Sequence, residues 1–380
     1  MFNTQFLGRE IKRIIIDSRS AQPGDLFVAY KGERADGNDY VDAALAAGAS
    51  AALAERYSGA ADNVFVAPNV QSELEKIVTD FRRKLSIPVI GITGSVGKTT
   101  VKEMIACVLS EKYKVHKTEG NLNNEIGVPL TLGSIMPDDE IAVVELGISH
   151  PGDMRQLAKM AMPTHMVYTV IGNAHLEFLG SREGVFNAKV GELLSVCSPV
   201  IFANGEDEYL SRIEGAKFYG SKPICTPPAY GRHILSAMNA AELVGREFGL
   251  SDEEIIRGIG KFKVIGRRGT VTKGFATVVD DSYNANLDSM ITAIDSMLEL
   301  PGERHVCVFG SILELGTSTI EHQHKVADYA RSKGCIVLQS NADYGCEEYY
   351  VSQIHKGDVV LVKASRGARL DIIADELKAL

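Results

Sequence analysis

The stretch VIGITGSVGKTTVKEM, residues 89–104, constrains the fold more than any other part of the chain. An apolar run passes through a glycine-punctuated turn into a helix that begins at Lys98. A strand entering a helix in this way belongs to a parallel α/β sheet, because a crossover helix is what returns the chain to the start of the next parallel strand. Gly94 and Gly97 permit the tight turn and let backbone N–H groups approach an anion. The amino end of the helix adds its own partial positive charge. Lys98 supplies a cation for the β- and γ-phosphates of a nucleotide, and Thr99 a hydroxyl for Mg²⁺. The nucleotide-binding candidates are therefore Thr93, Gly94, Ser95, Val96, Gly97, Lys98, Thr99 and Thr100. The strict phosphate-loop spacing G-x-x-x-x-G-K-[ST] misses by one residue, since its first position falls on Ile92.

At 380 residues the chain exceeds what a single core normally supports, so two or three domains are expected. Short β-rich runs alternate with helical patterns along its length. In the first block RIIIDS, DLFVAY, AALAE and NVFVAP read as strands, and SELEKIVTDFRRKL (72–85) as an amphipathic helix that stops before Pro88. The second block holds the phosphate loop and the strands IAVVEL, THMVYTVI and PVIFAN, and reaches a capped helix at 251–262. After the glycine–arginine joint VIGRRG, a third βα series follows with strands ATVVDD, HVCVFG, CIVLQS and DVVLVK. The expected domains are residues 1–86, 87–265 and 266–380, the last a small Rossmann-like unit.

A phosphate loop needs a carboxylate for its metal, usually at the end of a neighbouring strand. Glu145 ends IAVVEL in such a place, although acids at strand ends are common. By themselves His175, in GNAHLEFLG, and Lys189, in VFNAKVGELL, fit a loop histidine and a solvated helix lysine as well as they fit ligands. The net charge of −9 excludes a general nucleic-acid binder, which would carry a basic face. No apolar stretch reaches the ~20 residues needed to span a bilayer. The start of the chain has no uninterrupted apolar segment after a basic opening, so no signal peptide is expected. Six cysteines are scattered without metal-ligand spacing, as in a reducing compartment.

Taken together, these segments resemble the Mur ligase family. That family's loop reads T-G-x-x-G-K-[TS]-[TS], which Thr93–Thr100 reproduces, so the off-by-one spacing becomes part of the resemblance. TEGNLNNEIGVPLTL, VVELGISHPGDM, GNAHLEFLGSREGV, DDSYNANLDSM and LVKASRGARLD look like family segments in family order. The N-terminal stretch DSRSAQPGDLFVAYKGERADGNDYVDAALAAGA is similar to the part that grips a UDP-sugar. The resemblance implies a three-domain architecture: a UDP-sugar-binding domain, a central ATPase domain of mostly parallel sheet, and a Rossmann-like ligase domain.

The resemblance also implies ATP-driven amide-bond formation through an acyl phosphate, most closely the addition of D-alanyl-D-alanine to a UDP-muramyl-tripeptide. The alternative is a Mur-like ligase of another pathway that joins a different acid and amine. Matched positions make Lys98, Lys189, His175 and Arg267 catalytic candidates. Thr99, Glu145, His175 and Lys189 would hold two Mg²⁺ ions, Lys189 as a carbamate. His233, Arg267, Asp281, Tyr283 and Asn286 would meet the nucleotide. Asp17, Ser18, Arg19, Lys31, Gly32, Asn121, Asn123 and Asn124 would meet the UDP-muramyl substrate. The expected partners are small molecules alone, and the expected state is a cytoplasmic monomer. The chain departs from the family in several places, among them a trimmed C-terminal domain and histidines at 322 and 324 that straddle the family's histidine position. The segment 204–231 is short; Ile234 and Ala237 replace two asparagines near the adenine; Leu287 replaces a proline; and Ser311 replaces an aspartate.

Overall fold

Val89–Thr93 is a strand buried along its whole length, the third from one edge of a six-stranded parallel sheet. The structure, a computed structural model, describes residues 4–32, 35–313 and 319–380. Glu33 and Arg34 of the UDP-sugar-like stretch, and most of the segment after Ser311, lie outside the described residues. Across the central sheet the strands run Lys217–Tyr219, Val200–Asn204, His165–Tyr168, Val89–Thr93, Ile141–Glu145 and Val115–Lys117. The phosphate-loop strand therefore has Ile141–Glu145 on one side and His165–Tyr168 on the other, with Ile92 opposite Glu145 and Thr93 opposite Tyr168. Crevices beyond the carboxyl ends of such strands are where parallel sheets bind ligands.

Helices Lys98–Leu109, Arg232–Glu247 and Asp252–Lys261 cover one face of this sheet through Met104, Ile105, Val108, Met238, Val244 and Ile255. Ile234 and Ala237 are buried in that same core. The opposite face shares a core with the N-terminal sheet. Ile14, Leu26 and Leu53 of that sheet, and Leu74, Val78 and Phe81 of helix Val70–Lys84, pack continuously with Val144, Leu157 and Met166. The N-terminal sheet holds Arg13–Ile15, Asp25–Val28, Ala51–Ala54 and Val64–Val66, all parallel. A hairpin, Thr4–Phe6 with Arg9–Ile11, precedes it.

The C-terminal sheet has separate cores on its two faces. Its parallel strands Thr277–Asp281, Val359–Lys363, His305–Phe309, Ile336–Gln339 and Glu347–Glu348 carry one antiparallel edge strand, Thr270–Lys273. The chain enters this unit through Gly266, at φ +66°. Immediately beyond, Arg267 donates to Asp280 at 2.8 Å and to Asp375 at 2.9 and 2.7 Å, which fixes residue 267 to the C-terminal sheet.

The first joint is built differently from the second. Arg82, 5% exposed, donates to the carbonyls of Ala161 at 2.8 Å, Met162 at 3.0 Å and Leu85 at 3.0 Å. It thereby ties the linker before Pro88 to the end of helix Asp153–Ala161. Replacing Arg82 with leucine strands three carbonyls and should lower unfolding free energy by about 3 kcal/mol, read by urea denaturation.

Candidate active site

The phosphate loop is shaped by two glycines that no other residue can replace without strain. Gly94 sits at φ +149°, and a Cβ there would stand 2.0 Å from Thr169 Oγ1. Gly97, at φ +83°, caps the helix that starts at Lys98. The loop is braced from behind. The Ser95 N–H donates to the Val170 carbonyl at 2.8 Å, and Thr169 Oγ1 donates to the Val96 carbonyl. Lys98 Nζ folds back onto the Gly94 carbonyl at 2.7 Å.

Below the loop lies a buried carboxylate. Glu145, 2% exposed, accepts from Thr99 Oγ1 at 3.1 Å and from Asn123 Nδ2 at 2.8 Å. Its backbone N–H donates to Thr118 Oγ1 at 2.9 Å. Lys102, 1% exposed, donates to the Thr118 carbonyl at 2.6 Å and stands 3.0 Å from Glu103 and 4.0 Å from Glu145. A hydroxyl and a carboxylate oxygen converging beside a phosphate loop suit a hard divalent cation that completes its shell with phosphate oxygens. Among the described residues, no three histidine, cysteine or carboxylate side chains form a metal-holding group by themselves.

His175 and Lys189 approach the loop from another direction. His175 adopts a left-handed backbone, φ +57°, at the start of the short helix Leu176–Leu179. Lys189 lies in a π-helical turn, Asn187–Gly191, and is 1% exposed. Burial and the neighbouring Lys98 push the Lys189 amine far below the usual lysine range, with Asp153 opposing them. Burial, Lys189 and Lys98 depress the His175 imidazole to about 4. The structure thus brings Lys98, His175 and Lys189 within electrostatic reach of one another, with the Lys189 amine pushed far below its usual range and the His175 imidazole neutral at pH 7.

A cleft of about 580 Å³ runs from the phosphate loop to the C-terminal domain, where Asp281, Tyr283, Asn286 and Lys363 line it. Asp281 is paired with the buried Lys363 at 2.6 Å. Tyr283 lies under the Arg268 guanidinium, 3.8 Å from the ring centre. Asn286 caps helix Leu287–Leu298 in a mutual box with Ser289. His233 also lines the cleft, with its Nδ1 buried and lacking a hydrogen-bond partner among the described residues.

Other sequence candidates lie elsewhere. The structure does not bring Arg267 to the cleft: its guanidinium is held by Asp280 and Asp375, and the arginines lining the cleft are Arg232 and Arg268. Asn121 and Asn123 line the cleft, whereas Asn124 accepts the Gly127 N–H at 3.0 Å as a local helix cap. Asp17, Ser18 and Arg19 form one exposed turn, closed by an Asp17–Arg19 pair at 2.6 Å. Lys31 and Gly32 form another turn, bridged to Asp36 and Ala35. These five belong to the N-terminal sheet's surface and do not line this cleft. Sequence reading missed Lys102, Arg268 and Lys363; only Lys363, at the end of the apolar run VVLV, carried a signal that could have marked it.

Comparison with known proteins agrees with this geometry. Three family models cover most of the chain: the Mur ligase middle domain on residues 92–231, the Mur ligase family catalytic domain on 10–90, and the Mur ligase glutamate ligase domain on 265–345. The chain belongs to the Mur ligase family. It is 31% identical to a UDP-N-acetylmuramoyl-tripeptide–D-alanyl-D-alanine ligase of Bacillus subtilis, over 99% of this chain and 95% of the relative. The crystal structure of MurF from Acinetobacter baumannii superposes with a TM-score of 0.86 at 27% identity, over 98% of this chain and 94% of that one. MurF from Thermotoga maritima in complex with ADP gives 0.83 at 27% identity, over 97% of each chain. The three-domain α/β architecture is the one these relatives share.

Two outcomes follow for the site. Gly94→Ala should leave the circular dichroism of the protein intact and remove at least 99% of ATP turnover, because the added methyl meets Thr169 and the loop must open. Stability should fall as pH drops from about 6.5 towards 4: in that window the unfolded chain protonates residue 175 and the folded chain does not. Thermal melts of His175→Gln should show a shallower acid slope than those of the native protein.

Proposed function

We propose that this chain catalyses ATP-dependent addition of D-alanyl-D-alanine to UDP-N-acetylmuramoyl-tripeptide in peptidoglycan precursor synthesis. The observation that carries this reading is the pairing of a complete phosphate loop with a lysine buried beside it, whose amine burial and Lys98 push far below its usual range. A loop that only bound nucleotide would not need Lys189. The terminal carboxylate of the acceptor attacks the γ-phosphorus, giving an acyl phosphate and ADP. The dipeptide's free amine then attacks the acyl carbon, loses its proton, and phosphate departs.

In this scheme the loop N–H groups and Lys98 bind and orient the phosphates, with Lys98 exchanging the Gly94 carbonyl for phosphate oxygens. Thr99 and Glu145 would hold Mg²⁺, which when bound neutralises charge on the transferring phosphoryl group. Lys189 in its neutral form is the species that reacts with CO₂, and as a carbamate it would offer oxygen donors to a second Mg²⁺ beside His175. Asp281, Tyr283 and Asn286 close the nucleotide side of the cleft, with Arg268 stacked on Tyr283, and His233 is the candidate base contact. Asp17, Ser18, Arg19, Lys31 and Gly32 are proposed for the uridine nucleotide, on the N-terminal surface. Domain closure about Gly266 keeps water from the acyl phosphate. We take the enzyme to act as a monomer in the cytoplasm. No helix among the described residues is long and apolar enough to cross a membrane, and all six cysteines are free thiols.

The decisive assay is ADP release that requires the UDP-muramyl-tripeptide and D-alanyl-D-alanine together; no release with the pair would overturn the assignment. Lys189→Ala should reduce that rate at least a hundredfold, and added acetate or formate should restore part of it. Unchanged turnover in the alanine variant would remove Lys189 from the site.

A further inference from the structure

Two consecutive peptide N–H groups link the phosphate loop to the C-terminal domain. The Gly172 N–H donates to Ser95 Oγ, inside the loop, at 2.9 Å. One residue later, the Asn173 backbone N–H donates to Asp288 Oδ2, and Asn173 Nδ2 donates to Asp288 Oδ1 at 2.8 Å. Asp288 belongs to the first turn of helix Leu287–Leu298, in the other domain, directly after Asn286 and Leu287. There is no room for a side chain at position 172: a Cβ would stand 2.1 Å from Asp288 Oδ2 and 3.3 Å from the Ser95 Cβ. Both oxygens of one carboxylate are thus engaged across the domain boundary, two residues before His175.

Asp288 itself does not line the nucleotide cleft. Its bonds carry an ionised acceptor, which makes them about twice as strong as neutral ones. The start of its own helix is also where a negative charge is favoured. The carboxylate therefore suits its helix in the open enzyme and gains two donors on closure.

We propose that Asp288 is a positioning residue for the ligation, a clasp that makes docking of the C-terminal domain and placement of the His175 loop a single event. The proposal rests on the ligase reading above. When the clasp is made, Asn286 is delivered to the cleft, and the Gly172–Asn173 peptide is held between Ser95 and the incoming domain. When it is broken, the phosphate loop still holds nucleotide, because its own braces to Thr169 and Val170 lie within the central domain. Loss of the clasp should therefore affect the chemical step and spare nucleotide binding.

The test uses the full chain with Asp288→Ala. Its kcat for ligation should fall about tenfold to a hundredfold, the cost of a misplaced reacting group, while KM for ATP stays within about threefold. Amide hydrogen exchange at residues 172–176 in the presence of ADP should quicken. The exchanged pair Asn173→Asp with Asp288→Asn rebuilds both hydrogen bonds, since the new asparagine accepts from the residue-173 N–H and donates to the new carboxylate. It should recover most of kcat, which a merely destabilised interface would not do, and it serves equally if the alanine variant folds poorly. Native kcat in Asp288→Ala, or a double variant no better than Asn173→Asp alone, would overturn the clasp. If the native protein does not ligate these substrates, the ligase reading fails by itself. Exchange at 172–176 then still decides the clasp: faster exchange in Asp288→Ala supports it, and identical exchange refutes it.

Discussion

Taking a carboxylate out of water is the most demanding thing this chain does, and the geometry of the phosphate loop follows from how Glu145 is satisfied. A buried acid without partners would protonate or unfold its surroundings. Here the Thr99 hydroxyl, the Asn123 amide and the more distant Lys102 ammonium share it, from two different segments. Thr99 and Lys102 lie on one helix and Glu145 on the adjacent strand, so the contact fixes the helix against the sheet at the level of the glycine turn. Asn123 adds the loop after Thr118, whose hydroxyl accepts the Glu145 N–H. Three segments are thereby placed by a single residue, and a cation arriving at Thr99 and Glu145 would meet oxygens already oriented.

The two domain joints are unequal for the same kind of reason. The N-terminal and central domains share one apolar core, and Arg82 removes the remaining freedom by satisfying three carbonyls at the linker. Opening that joint would expose core. The C-terminal sheet keeps its apolar surface within its own two cores, and Arg267 anchors the far side of the joint to Asp280 and Asp375. What crosses to the central domain is largely polar, including Asn173 with Asp288. Polar contacts can be exchanged for water at small cost, so motion belongs at Gly266 and not before Pro88.

Much of this was legible in the sequence because it is local. The strand–turn–helix around Lys98, the strand end at Glu145 and the capping box at Ser251 each arise within a dozen residues, and the structure has them. The edge strands Val115–Lys117, Lys217–Tyr219 and Thr270–Lys273 were not legible, since they are short and partly exposed and carry no apolar run. Arg267 and Arg268 are adjacent, and sequence cannot say which of two neighbours turns to the cleft; Asp280, remote in sequence from the joint and fully buried, decides it. Ile234 and Ala237 read as losses from a nucleotide site, yet both fill the core between helices Lys98–Leu109 and Arg232–Glu247. Asn239, two positions further on, bonds both backbone groups of Lys222 and so secures the segment before that helix. Such pairings join residues far apart in the chain, and no periodicity announces them.

The electrostatics around Lys98 explain why Lys189 is buried at all. Lys98, Lys189 and His175 are three groups of potential positive charge in one neighbourhood; burial, and after it the neighbouring positive groups, push the Lys189 amine far below its usual range and the His175 imidazole to about 4. An exposed lysine in that place would stay protonated, repel divalent cations and compete with Lys98 for phosphate. The π-helical turn at Asn187–Gly191 places Lys189 where water cannot stabilise its charge, at a cost in helix geometry that a structural lysine would not require. The backbone of residues 187–191 thus sets the burial of position 189, and that burial, together with the positive charge of Lys98, is what lowers its amine.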